Sequence, residues 1–197
     1  MGSYYYLAAQ LPYLVYGQGV PMSSADFKAM AHDAMSSADA ALLDCCTLDP
    51  DPEAGPGVSY AEQARRTGSD FINRWKEWER TLRLTLARGR FQKLKREGGV
   101  MVDPPEYPAD AAAVAKNALA MESPLEAEFF LDKARWDAIE SFQDISNFTE
   151  NAMYAYLLKL QLMERRSAFK NEEGLAEYKG LYDAILSLET QVLKTQV

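Results

Sequence analysis

The chain has 197 residues, 48% of them hydrophobic and 25% charged, with a net charge of −8 and a pI near 4.8. A chain of this length can bury a true core, and the composition is that of an ordinary globular protein. The acidic balance excludes a nucleic-acid footprint, which needs a basic face, and disfavours docking on anionic lipid; a basic partner surface suits it better.

The first residues, Met1-Gly2-Ser3-Tyr4-Tyr5-Tyr6-Leu7, lack the basic start and long apolar run of a signal peptide. Tyr6 stands where the myristoylation pattern wants Ser or Thr. Tyrosines favour strands, but no partner strand is evident elsewhere, so Tyr4–Leu7 reads as a short helix ending before Pro12. Pro21-Met22-Ser23-Ser24-Ala25-Asp26-Phe27 reads as a helix start, with a serine hydroxyl as cap and Asp26 in the first turn. Ser36-Ser37-Ala38-Asp39 repeats the device ahead of Ala40–Leu43. The only cysteines, Cys45 and Cys46, are adjacent, which strains a disulfide and makes no zinc site without nearby histidines. They read as reduced, buried, small hydrophobes.

Two proline- and glycine-rich breaks, at 49–57 and 98–108, interrupt a pattern that is otherwise helical. Between them Phe71, Trp75, Trp78, Leu82 and Leu86 recur every three or four residues, the core stripe of one helix. Arg74, Lys76, Glu79, Arg80 and Arg83 take its other faces. The C-terminal piece from 109 to 197 reads as three helices, opened at Ser123-Pro124, at Thr149 and after Gly174. The second is apolar nearly all round over Ala152–Leu158 and should lie between neighbours. The third, Leu175 to Thr195, sets Leu175, Tyr178, Tyr182, Ile185 and Leu188 on one side. The longest apolar run, Ala152–Leu158, is far short of the roughly 20 residues of a membrane span. Leu82–Arg90 echoes Leu158–Arg166 as Leu-(Arg/Lys)-Leu-x-Leu-x-x-x-Arg, the trace a helical repeat leaves. The fold class is therefore all-α, a bundle or repeat of about six to eight helices forming one domain over 1–197.

Catalytic signatures are missing. His32 is the only histidine, which excludes histidine-rich metal sites and leaves a single base for any nucleophile. A triad of Asp26 or Asp33, His32 and Cys45 can be drawn, but a surface histidine on a short helix explains the residues more simply. No phosphate loop or dinucleotide fingerprint occurs, and acidic pairs such as Glu172-Glu173 read as solvated turns. No catalytic residue, cofactor or metal site is assigned.

The run Pro124-Leu125-x-x-Glu128-x-x-Leu131-Asp132-Lys133-x-x-Trp136 resembles a recurring stretch of the C-type central-stalk family of V-type ATPases, called d-type in eukaryotes. Asp144-Ile145-Ser146-Asn147-Phe148 through Arg166 is similar to the acidic-aromatic turn and leucine-rich helix that follow it there. The N-terminal Tyr4–Leu7 and Pro21–Phe27 stretches also look like a short bacterial group encoded beside V-type ATPase genes. The resemblance implies a non-catalytic component of the central stalk, cytoplasmic and peripheral to the membrane, whose partners are the rotor ring and the central shaft. The family builds a funnel from three related helical segments, and this chain has room for about two. The expected contact residues are Glu128 and Asp132, one turn apart, with Arg90, Arg165 and Arg166; Asp132 and Arg135 are spaced for a surface ion pair. The alternative is a free-standing helical adaptor or assembly protein, with no nucleic acid bound and no membrane insertion in either case.

Overall fold

A computed structural model describes residues 4–48, 68–94 and 108–168. The described residues form seven helices and no strand. They are α1 (Tyr5–Gln10), α2 (Ser24–Ala34), α3 (Ser37–Asp44), α4 (Asp70–Lys93), α5 (Ala109–Ala120), α6 (Pro124–Phe142) and α7 (Glu150–Ser167). The chain divides into two compact units, Met1–Glu164 and Arg165–Val197. The break at 49–57, most of the break at 98–108 and the helix expected over Leu175–Thr195 lie outside the described residues.

Serine hydroxyls start four of these helices. Ser23, Ser36, Ser69 and Ser123 each accept the backbone N–H of the residue three positions on, which would otherwise lack a partner. Pro124 follows Ser123 at the first helical position, where no N–H is required. Thr149 serves α7, its hydroxyl accepting the Ala152 N–H at 3.3 Å. α5 is an addition to the expected three C-terminal helices. Its sequence, ADAAAVAKNALA, carries little periodic contrast but strong helix propensity, and Ala111, Ala115 and Ala118 turn inward.

α7 is the central element of the first unit. Ala152 to Ala155, Leu157, Leu158, Leu160, Leu162 and Met163 are buried, so the helix without a polar face does lie among neighbours. On one side it meets the N-terminal helices and their loops. Phe27 of α2 packs on Tyr156, whose hydroxyl donates to the Pro12 carbonyl at 2.8 Å. Glu164 accepts both the Ser24 N–H and its hydroxyl at 2.6 Å, and Gln161 bonds the Cys46 carbonyl and the Leu48 N–H. On the other side Phe71 of α4 packs on Tyr154, and Lys159 reaches Glu140 of α6.

The α4 stripe is buried throughout: Phe71, Trp75, Trp78, Leu82 and Leu86. Trp78 donates its indole N–H to Asp110 of α5 at 3.0 Å, satisfying the one polar atom that burial would strand. Near its end, α4 presses against α5 at Gly89, where a Cβ would overlap the Leu119 side chain. The echoed segments differ in their burial. Leu82 and Leu86 match Leu158 and Leu162 as core, but Leu84 is half-buried where Leu160 is fully enclosed. The same pattern serves a one-faced helix in α4 and an all-round one in α7.

Candidate functional site

The most unusual chemistry lies where α4 crosses α6. Asp132 and Arg135 do pair, at 3.1 Å, but inside the protein: Asp132 is wholly buried and Arg135 only 4% exposed. The expectation of a surface pair, and of Asp132 as a partner contact, is corrected on this point. α6 turns Leu131, Asp132, Arg135, Trp136 and Ile139 inward together, which puts the carboxylate on the core face.

Glu79 completes the group and is a second correction. The helical period sets it off the core stripe of α4, yet it is 7% exposed. The Arg135 guanidinium grips it with two donors, Nε to Oε2 at 3.0 Å and Nη2 to Oε1 at 3.2 Å, while Nη1 reaches Asp132. Arg83, one turn along α4, donates Nε to the same Glu79 carboxylate at 2.6 Å. Its Nη2 bonds the Leu48 carbonyl, tying this cluster to the end of the N-terminal segment. Two carboxylates thus face two guanidiniums, and the forked Arg135 geometry fixes direction as well as charge. Burial by itself would lower the Arg135 pKa; the charge and hydrogen bonds of Glu79, with the charge of Asp132, outweigh it and hold the pKa above its usual value.

Of the other expected contact residues, Arg90 and Glu128 meet each other at 3.2 Å across α4 and α6, an exposed pair beside the buried one. Arg165 and Arg166 stand half-buried in the last turn of α7. The structure therefore gathers Arg90, Glu128 and Asp132 along one α4–α6 contact, with Glu79 and Arg83 as members that the sequence did not single out.

The elements of the drawn triad are used otherwise. Asp26 bonds the Ser23 hydroxyl at 2.7 Å, and exposed His32 pairs with Asp44 at 3.2 Å. Cys46 is buried, and burial pushes its thiol pKa up, away from thiolate chemistry. Cys45 is half-exposed, against expectation, with its sulfur 3.6 Å from the Ala41 carbonyl. Among the described residues no group of three or more His, Cys, Asp or Glu is placed to hold a metal ion. A shallow groove of about 490 Å³ between the ends of α4 and α5 is lined by Gly89, Gln92, Lys93, Lys116, Leu119 and Ala120. None of these side chains is an acid or a nucleophile with a base beside it.

No family model, curated protein or solved structure matches the chain. The remaining feature of the surface is aromatic. Tyr5, Tyr6, Tyr13, Ile145 and Phe148 are large apolar or amphipathic side chains exposed to water, and Tyr5 packs on Phe148 with ring centres 4.3 Å apart and the planes tilted by 35°. The three consecutive tyrosines are the one sequence signal of this, since a helix as short as α1 cannot turn all three inward. No helix among the described residues is long and apolar enough to cross a membrane.

Proposed function

We propose that this chain is a non-catalytic helical part of a V-type ATPase central stalk, peripheral to the membrane on the cytoplasmic side and linking the rotor ring to the shaft. The observation that carries the reading is the Pro124–Trp136 run, which is similar to the C-type central-stalk motif at seven positions. The use made of that run supports it. A part that transmits torque needs a fixed register between its helices, and a buried, forked ion pair supplies direction as well as charge. Here Asp132 and Arg135, both inside the run, bind α6 to Glu79 of α4. Chemistry is left to the other components of such a machine; this chain contributes shape, charge and contact area.

The test is made in the native organism. The tagged protein should sediment with the rotor ring and the shaft from detergent-extracted membranes. Deleting its gene should uncouple ATP hydrolysis from ion transport while the isolated catalytic head stays active. If pumping is unchanged and the protein never sediments with the complex, the reading fails and the free-standing adaptor takes its place.

A further inference from the structure

We propose that α1 and the turn over residues 143–149 form a docking surface for a segment of a partner protein that carries Lys or Arg around a bulky apolar anchor. Two stretches far apart in sequence build this surface. The Tyr4 N–H donates to the Phe148 carbonyl at 2.8 Å, and the Tyr5 ring lies on the Phe148 ring, which fixes the start of α1 against the turn. Around that joint Tyr5 is 61% exposed, Tyr6 81%, Phe148 38% and Ile145 entirely so. Single exposed apolar residues are common, but four from two adjoining segments form a patch, and such patches mark protein interfaces. Ile145 is the most telling member. It sits in a turn of Gln, Asp, Ser and Asn, where a polar residue would serve the fold equally well.

The charge around the patch selects the partner. From Trp136 to Leu158 the chain carries Asp137, Glu140, Asp144 and Glu150 and no Lys, Arg or His. The N-terminal stretch adds none, since Lys28 is the first cation of the chain. Lys133 is paired with Asp137 and Lys159 with Glu140, and Arg74 lies over the Phe142 ring, so these cations offset two of the four acids and leave Asp144 and Glu150. An apolar patch whose flanking charge is net negative attracts a segment of the opposite sign, and the charges set orientation and rate while the apolar anchors hold. The same field repels an anionic lipid surface, and a two-fold contact with a second copy would set Asp144 against like charges. The inference holds whichever assembly the chain joins.

The experiment uses the full chain and two fluorescent synthetic amphipathic helices, one of Leu and Lys and its twin of Leu and Glu. Binding is read by anisotropy for the wild type and for the Tyr6→Ser/Ile145→Ser double variant, whose circular dichroism should be unchanged because both side chains stand in water. The Lys peptide should bind the wild type and bind the variant about tenfold more weakly or worse, while the Glu peptide should not bind. Equal affinity of variant and wild type for the Lys peptide, or a preference for the Glu peptide, would overturn the proposal. So would binding to phosphatidylserine vesicles that the double substitution abolishes, which would make the occupant a membrane. Concentration-dependent dimerisation removed by the same substitutions would make it a second copy, and would equally overturn it.

Discussion

Arg135 is enclosed between Glu79 and Asp132 at the α4–α6 contact, whereas Tyr6 and Ile145 stand in water on α1 and the turn before α7. In the first region charges occupy the interior; in the second, apolar groups occupy the surface. The interior charges are paired with one another, and the value of that pairing is directional: an apolar replacement could fill the space but would not fix how α6 lies along α4. Among the described residues, the surface apolar groups are held by a tilted ring contact and a backbone bond and otherwise face water. Among the described residues, the first arrangement has its partners inside the protein, and the second faces water. Inverted solvation signals an internal joint where the partners are present and a docking surface where they are absent.

The largest effects should come from breaking the joint. Arg135→Ala leaves two carboxylates in the interior without their shared cation and should cost roughly 3–5 kcal/mol in urea unfolding. Arg135→Lys should rescue only part of this, because an ammonium cannot make the forked contact to Glu79. Replacing the whole group by Glu79→Leu, Asp132→Leu and Arg135→Met should recover most of the stability. A loss below about 1 kcal/mol for Arg135→Ala would show that the cluster is wetter than its burial implies. Trp78→Ala is the apolar counterpart: it opens a cavity and should also cost about 3–5 kcal/mol.

Much of this framework is legible in the sequence, and the part that is not has a physical reason. Ser23, Ser36, Ser123-Pro124 and Thr149 mark their helices because capping is a local event, decided within four residues. The Phe71–Leu86 stripe declares itself because period 3.6 needs no knowledge of the partner. Glu79 is a different case. It adjoins Trp78 at the edge of that stripe, and whether an edge residue meets water or protein depends on which helix arrives there. The Asp132–Arg135 spacing reveals the pair but not its surroundings, since the same three-residue offset serves surface and core alike. α5 leaves no periodic signal because alanine contributes propensity without contrast.

Alkaline pH offers a smaller, graded test of the N-terminal packing on α7. Burial pushes the Tyr156 phenol up to about 12 from its usual 10, and its hydroxyl donates to Pro12. A group whose pKa is higher in the folded state keeps its proton there after the unfolded chain has lost it. Its contribution is thus fully present below pH 10 and lost as pH rises toward 12. Stability should fall over that window. Tyr156→Phe should flatten the fall, at a cost near neutral pH of about 1 kcal/mol for the missing hydrogen bond. An unchanged slope in the variant would assign the loss to other tyrosines.

The smallest expected effect carries the sharpest contrast with Trp78. Tyr6→Ser and Ile145→Ser remove large, largely apolar side chains, yet each should change stability by no more than about 0.5 kcal/mol, because both stand exposed among the described residues. Deleting buried apolar groups costs several-fold more, so the difference measures what the surroundings do rather than what the residues are. Ile145→Ser is the cleaner of the two, lying in a turn where serine suits the backbone. If it destabilises the isolated protein by about 2 kcal/mol, the residue is buried in solution by some part of the chain itself, and the patch is a piece of core. If it is neutral alone but weakens capture of a basic apolar peptide, the stability of the fold and the affinity of the surface are separable properties of the same few residues.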